Sequence, residues 1–425
     1  MRTQEFSSAA RQRGLIAILI STFFMWGGFF MVIPLISIHF VNGLGWAATS
    51  IGFILAVRQL TQQGLALFGG MLADRIGAKG LICAGVLLRA VGFAGMAGAT
   101  TFSMLLFTSV VAALGGALFE SPREAAIAAL TDTHNRARFY SLAGVSGGMG
   151  MTLGPLLGAL LIKAGFSLVA FASAICFFIT FLVMLILLPP VRVATERRNL
   201  TYGLGLALRD RTFVLYNLLL MGYWFMSVQL NISLPLKAEA LTGTTDSVGY
   251  VFALNSILTV LLQYPLLRLA ERRMRPLPVL ILGLVLMAVG LGSVGTTATF
   301  LMLMACVAIF SFGALLAAPS QQTVAAELSN PVAFGSYFGI NSLALAFGGG
   351  LGNFTGGVLY GWSSDLHAPN LPWLTFCTVG LLAAGGLWWL HTNRMPYARK
   401  QAAPPVHDDE LLLHLLLSSP RTPHT

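Results

Sequence analysis

The chain alternates between long apolar runs and short polar connections. Each run holds about 20 residues, which as an α-helix cross roughly 30 Å of hydrocarbon. The pattern predicts an all-α membrane protein with twelve transmembrane helices, and the Gly and Pro inside several runs are tolerated in such helices. The predicted helices cover 14–38, 48–70, 80–99, 102–121, 140–162, 166–188, 213–237, 246–268, 278–296, 300–320, 336–360 and 372–391.

Composition limits the kind of protein further. Of the 425 residues, 56% are hydrophobic and 9% are charged, whereas soluble domains carry about 25% charged residues. The four cysteines lie singly in apolar runs, and no GxxxxGK[ST] loop is present to indicate direct ATP use. The seven histidines fall at helix ends, in connections or in the tail. We therefore expect a transporter without cofactor or metal, and no enzyme.

The net charge of +10 reports orientation in the membrane. With the N-terminus on the cytoplasmic side, all but four of the 25 Lys and Arg residues fall on that side or in the tail. The exceptions are Lys163, Lys237, Arg58 and Arg89. Because basic residues concentrate in cytoplasmic connections, this predicts a bacterial inner-membrane protein with both termini cytoplasmic. The charge is expected to meet anionic lipid and no nucleic acid. The first run is interpreted as a retained helix and not a signal peptide.

An internal repeat appears at an offset of 197 residues. "LADR" (72–75) corresponds to "LAER" (269–272), "GALFESP" (116–122) to "GALLAAP" (313–319), and Tyr140 to Tyr337. Such repeats predict two homologous six-helix halves with the same orientation. The predicted organisation is a cytoplasmic N-terminus, two bundles joined by a cytoplasmic linker, and a cytoplasmic tail, at 1–13, 14–188, 189–212, 213–391 and 392–425. For the tail, a short interfacial helix and a disordered end both stay open.

The stretch "GGMLADRIGAKG" (69–80) places rare charges between the second and third predicted helices. It resembles the loop G-x-x-x-D-[RK]-x-G-[RK]-[RK] of the major facilitator superfamily. The matching residues are Gly70, Asp74, Arg75, Gly77 and Lys79, and Ala78 departs from the pattern. The resemblance implies two six-helix bundles that rock about a site near the membrane midplane.

The chemistry of this loop predicts a cytoplasmic gate. Gly77 supplies the positive φ that a tight turn needs, and Asp74 suits the exposed amides at another helix start, which the resemblance places on the eleventh helix. Arg75 and Lys79 would meet Glu120 or Glu124 at the end of the fourth helix. The alternative is that Arg75 and Lys79 only follow the positive-inside rule.

The fifth predicted helix, "SLAGVSGGMGMTLGPLLGALL" (141–161), is dense in glycine. It resembles the G-x8-G-x3-G-P-x2-G-G motif of the drug–proton antiporters in the same superfamily, through Gly150, Gly154, Pro155 and Gly158. Ser141 and Ala159 stand where that motif has glycine. The resemblance implies proton-coupled export, whereas ordinary glycine-mediated helix packing is the structural alternative.

Polar groups at membrane depth are costly and indicate function. Arg58 lies near the middle of the second helix, with Gln62 one turn on and Gln59 beside it. Arg89 in the third helix is predicted to snorkel or pack. Glu120 is the leading proton site, with Arg58 as a second proton-coupling candidate, and a structural ion pair between Glu120 and Arg123 is the alternative.

The remaining candidates would line a substrate cavity. They combine aromatic faces with a few hydrogen-bonding groups, which suits an amphipathic ligand. With Arg58, Gln59 and Gln62 they are Trp26, Phe30, Tyr223, Gln229, Asn255 and Asn341. The expected function is export of amphipathic, drug-like compounds by a monomer, with protons as driving ion. Import of a small organic solute through the same fold and a non-transporting sensor are the alternatives.

Overall fold

The computed structural model describes residues 7–131, 136–190, 200–330 and 334–393. This part of the chain folds into α-helices without any strand. The helices are α1 (Ser8–Ser37), α2 (Ala48–Ile76), α3 (Ala78–Met96), α4 (Phe102–Leu130), α5 (Arg136–Leu161), α6 (Phe166–Leu187), α7 (Leu200–Arg209), α8 (Arg211–Ser227), α9 (Ser233–Thr242), α10 (Asp246–Glu271), α11 (Pro276–Val294), α12 (Phe300–Leu328), α13 (Phe334–Asp365) and α14 (Leu371–Asn393).

Twelve membrane crossings result from these fourteen helices, because α7 does not cross and α8 and α9 form one crossing together. α8 and α9, joined by a 3-10 turn at Val228–Leu230, together replace the single predicted helix 213–237. α7 lies before α8 and packs against α8 and α13. We call the side where α1 begins and α14 ends the termini side, and the opposite side the far side. The predicted fold class, all-α with twelve membrane helices, is confirmed.

Ten helical segments of the described residues are long and apolar enough to cross a membrane. α2 and α13 are not among them, although they have 29 and 32 residues. α2 carries Arg58 and several glutamines, and α13 is rich in glycine. α2 packs on both α13 and α4, so its polar side chains meet protein in place of lipid.

Close helix contacts repeat between the two halves. Gly85 meets the carbonyl of Gly115 between α3 and α4, and Gly283 meets that of Gly313 between α11 and α12. These pairs lie 198 positions apart, not 197. The connection between Glu271 and α11 is longer by one residue than the connection between Asp74 and α3. The counterpart of Glu120 is therefore Ala318 and not Ala317, a correction of the sequence-based alignment.

The halves meet on the far side. A Cβ on Gly52 of α2 would meet the backbone of Asn353 and Gly357 on α13, and Gly249 of α10 faces Ala159 of α5. The apolar core of the first half also includes Val248 at the far-side start of α10. These contacts close the far side.

Candidate functional site

A cavity of about 320 Å³ opens on the first half between α1, α4 and α5. Trp26 is 43% exposed in it and stacks on Phe30, with ring centroids 5.8 Å apart. Phe30 itself is buried and reaches Phe252 of α10 across the halves, at 6.2 Å. The cavity is lined by Thr22, Trp26, Arg123, Ala143, Gly144, Gly147, Gly148 and Met151. It therefore offers one large aromatic face, one cation and a glycine-rich wall.

The glycines of α5 fall into two sets. Gly150, Gly154 and Gly158 face the backbone of α1, where an added Cβ would collide with the carbonyl oxygens of residues 23, 27 and 31. This close packing explains the motif in structural terms, and the buried Pro155 lies within the same stretch. Gly144 and Gly148 have open space at the Cβ position. They leave the cavity wall free of side chains.

Gln62 links the two predicted proton-coupling residues. Arg58 donates from Nη1 to Gln62 Oε1 at 3.1 Å, and Gln62 donates from Nε2 to Glu120 Oε1 at 2.6 Å. Arg58 also donates from Nη2 to Gln59 Oε1 at 3.1 Å. Arg58, Gln59 and Gln62 are all buried. The tertiary structure thus joins α2 and α4 through one polar cluster, which we call the Arg58 cluster: Arg58, Gln59, Gln62, Arg89 and Glu120.

Arg89 belongs to this cluster, and of its two predicted roles the structure shows packing and not snorkelling. Its side chain is 5% exposed, and its guanidinium lies over the rings of Phe29 and Phe177, at 5.1 and 5.3 Å. Arg58 lies over the same Phe29 ring at 5.0 Å. A buried cation over an aromatic face gains about 2 kcal/mol when desolvated, and Glu120 lies within electrostatic reach.

Arg123 does not form an ion pair with Glu120 among the recorded contacts, because its guanidinium is engaged elsewhere in the described part of the chain. Nη1 contacts Glu124 Oε1 at 2.7 Å, and Nη2 donates to Thr22 Oγ1 at 2.8 Å. The first contact holds Arg123 at the cavity, and the second joins α4 to α1. Glu124 thus contacts Arg123 on its own helix, and the predicted contacts of Arg75 and Lys79 with a carboxylate of α4 stay predictions.

In the second half the predicted cavity residues lie in different environments. Asn255 on α10 accepts a 3.0 Å hydrogen bond from Ser311 on α12, and Asn341 on α13 has a buried Oδ1 without a partner among the described residues. Tyr223 is buried against Trp224, with ring centroids 4.7 Å apart. Trp224 lies 198 positions after Trp26, so the halves carry equivalent tryptophans.

Gln229 does not line the cavity. It is fully buried and donates from Nε2 to the carbonyls of Phe225 and Gly352, both at 2.9 Å, while its Oε1 accepts from Ser233 at 2.6 Å. These bonds compensate the break between α8 and α9 and attach it to α13. Its role in this structure is to hold the second half together.

The predicted gate is described only in part. The side chains of Gly70, Asp74 and Arg75 lie outside the described residues. Gly77 has φ 92° at the start of α3, the positive φ that the tight turn requires. Lys79 lies half-buried in the first turn of α3.

Sequence reasoning missed three contributors: Phe29 as the ring under both arginines, Thr22 as the partner of Arg123, and the open wall at Gly144. Phe29 is one of 29 phenylalanines, and its pattern does not separate it from lipid-facing ones. The spacing of Gly144 and Gly148, one turn apart outside the resembled motif, is the signal that could have indicated the wall.

The family model described as Major Facilitator Superfamily matches the chain over residues 18–239 and 212–422. The multidrug resistance protein MdtH of Edwardsiella ictaluri is 39% identical over 392 residues, covering 92% of this chain and 98% of that protein. MdtH of Yersinia enterocolitica is 40% identical over 387 residues, covering 91% and 96%. MdtH of Cronobacter sakazakii is 39% identical over 403 residues, covering 95% and 99%.

Solved structures share the fold. A POT family transporter in complex with a thioalcohol-conjugated peptide superposes with a TM-score of 0.75 at 14% identity, covering 89% of this chain and 96% of that one. The nucleoside transporter NupG superposes with a TM-score of 0.72 at 14% identity, covering 90% and 99%. At such low identity the similarity concerns the fold alone.

Proposed function

Because the chain belongs to the Major Facilitator Superfamily, we propose that it exports amphipathic, drug-like organic compounds by alternating access, in exchange for protons. The observation that carries this proposal is the similarity to MdtH proteins, at 39 to 40% identity over more than nine tenths of this chain. We therefore propose that this chain, like a multidrug resistance protein, exports a range of compounds and not a single substrate.

The cavity supports the proposed substrate class. Trp26 presents an exposed aromatic face, and Met151 is a flexible apolar group beside a wall at Gly144 and Gly148. Such a surface binds flat apolar groups with little demand on their shape. Arg123 supplies one charged group at the same cavity. Asn255 and Asn341 would complete the site from the second half when the halves close around a ligand.

Glu120 is the proposed proton site. Among the described residues it is the carboxylate of the Arg58 cluster, and it is partly open on α4. A carboxylate at membrane depth can take up a proton from water at the cavity and release it to water on the other side of the membrane. Arg58 belongs to the same cluster and is joined to Glu120 through Gln62, so a cation lies near the carboxylate. No cofactor takes part in this proposal.

The proposed location is the bacterial inner membrane, with the termini side facing the cytoplasm. Basic residues concentrate on the termini side, which supports this orientation. The cavity then opens to the cytoplasm, where an exporter collects its substrate. Besides its substrate and protons, the protein is proposed to contact membrane lipid. It is proposed to act as a monomer, since residues of one chain line the cavity.

Membrane vesicles of both orientations test the direction of transport. Inverted vesicles with an acidic lumen should accumulate ethidium, Hoechst 33342 or rhodamine 6G, and each dye should raise the lumenal pH as protons leave. Right-side-out vesicles in an acidic external solution, which reproduces the same gradient across the protein, should not accumulate the dyes. Accumulation of none of the dyes, or uptake into right-side-out vesicles, would contradict export and favour the importer. Dye binding without flux in proteoliposomes would favour the sensor.

Glu120→Gln tests the proton site separately. The variant should bind dye and insert normally, and it should lose accumulation driven by the pH gradient. Gradient-driven accumulation at the unsubstituted rate would show that another group carries the proton.

A further inference from the structure

Within the Arg58 cluster, Gln62 is bonded at both ends of its amide. Its amide lies between Arg58 and Glu120, with its oxygen toward the guanidinium and its nitrogen toward the carboxylate. An arginine can only donate hydrogen bonds and an ionised carboxylate can only accept them, whereas an amide does both. We expect the two charged groups to approach each other if the amide is removed.

We propose that Gln62 is a positioning residue for proton coupling: it separates Arg58 from Glu120 and so keeps Glu120 able to bind and release a proton. This inference rests on the proposed proton role of Glu120. A direct ion pair of the two in a low-dielectric interior would strongly favour the ionised carboxylate. A proton site locked in that form would not cycle during transport.

The surroundings fix the amide in this place. Gly116 lies one turn before Glu120 on α4, and a Cβ there would lie 2.8 Å from Gln62 Cδ and from Arg89 Nη1. The α4 backbone therefore closes one side of the amide. Gln62 is 6% exposed, and both ends of its amide are bonded within the protein.

Every charged group around Glu120 in the described part of the chain enters this balance. Arg58 approaches from α2, Arg89 from α3 and Arg123 from the next turn of α4. Arg89 rests on Phe29 and Phe177, and Arg123 is engaged by Glu124 and Thr22. Arg58 is the guanidinium that Gln62 separates from Glu120 with a hydrogen bond to each. Substitution of Gln62 should therefore act through Arg58.

Infrared difference spectroscopy of the purified full-length protein measures the proton directly. The carboxyl C=O band of Glu120 is identified as the one that Glu120→Gln removes. In Gln62→Ala the midpoint of this band should move to lower pH by about one unit or more, because Arg58 then contacts the carboxylate directly. The double variant Arg58→Gln/Gln62→Ala should reverse that shift.

Gln59→Ala is the matched control. Gln59 also accepts a hydrogen bond from Arg58 and is also buried, but its recorded side-chain bond is to Arg58 and not to Glu120. Its substitution should leave the midpoint in place. Thermal unfolding of each variant in detergent establishes that the comparison is made on folded protein, and Gln62→Asn provides a second substitution if Gln62→Ala does not fold.

The possible outcomes separate the two proposals. If Glu120→Gln removes no titrating band, the proton role of Glu120 is wrong, and the role of Gln62 falls with it. If that band exists but Gln62→Ala leaves it in place or moves it to higher pH, only the inference on Gln62 is wrong. A shift to higher pH would mean that the amide acts solely as a donor to the carboxylate.

Discussion

Asn42 and Glu239 join the two halves on the far side, where Asn42 Nδ2 donates a 2.5 Å hydrogen bond to Glu239 Oε2. They lie 197 positions apart, the offset that relates "LADR" to "LAER". Nearly equivalent positions therefore meet near the pseudo-twofold axis. Lys163 and Asp246 form an ion pair of 2.9 Å on the same side. Both contacts can exist only while the far side is closed.

Lys163→Glu should shift the protein toward a far-side-open state. The substitution opposes two carboxylates at the ends of α5 and α10. Because exposed ion pairs contribute at most about 1 kcal/mol, the population should change by about fivefold or less. Distances between spin labels on the far-side ends of α5 and α10 measure it. The charge-swapped pair Lys163→Glu/Asp246→Lys should restore the original distribution, and unchanged distances in the single variant would contradict a gate here.

Gly154→Ala should destabilise the first half. The new methyl group would collide with the carbonyl oxygen of Gly27 on α1, and overpacking of this kind costs about 1–3 kcal/mol. Gly385→Ala on α14 is the matched control, since a Cβ there meets nothing within 4 Å. Thermal unfolding of the purified variants compares them, and equal midpoints would show that α1 and α5 pack less tightly than described.

Trp26→Ala should raise the dye concentration that half-saturates export by about tenfold. Loss of an aromatic contact of about 1.4 kcal/mol has that effect, and Trp26→Phe should retain most of the activity. Trp388 on α14 is 56% exposed away from the cavity residues, so Trp388→Ala serves as the control. Dye accumulation in inverted vesicles is the measurement. Equal effects of both alanine variants would exclude a specific role for Trp26.

Asp74→Asn should reduce transport while insertion and expression stay near normal. The predicted reason is loss of the negative charge that binds the amides at a helix start and holds the cytoplasmic side closed. Such a charge contributes about 0.3–2 kcal/mol, so transport should fall by severalfold or more. Dye accumulation normalised to protein in the membrane checks this. Undiminished transport would remove Asp74 from the gate.

The sequence predicted the elements far better than the contacts of the site. Glu120, Arg58 and Gln62 were recognisable because a charged or amide side chain within an apolar run is conspicuous. The sequence left snorkelling and packing open for Arg89, because the choice depends on which helices surround it, here those that carry Phe29 and Phe177. The placement of Gln229 depends on its neighbouring helices in the same way, and the sequence assigned it to the cavity. Its polarity was visible, but the broken helix that uses it was not.

The repeat offset changes by one residue, from 197 to 198, and this small change alters which helix faces correspond. On a helix, one position turns a side chain by about 100°, so an alignment that places Ala317 opposite Glu120 compares different faces. Only the close contacts at Gly85 and Gly283 reveal the correct offset.

By itself the sequence determined the twelve membrane helices, the two halves, the family and the rarity of charge, because each follows from local hydrophobicity or from motifs along the chain. The tertiary structure decided that Gln62 stands between Arg58 and Glu120, that Arg89 is buried, and that the far side is closed. Those relationships depend on helices brought together from distant parts of the chain. Their packing is set by backbone contacts such as that of Gly154 with α1. The glycine motif indicates a close helix contact, but it does not say which helix is the partner.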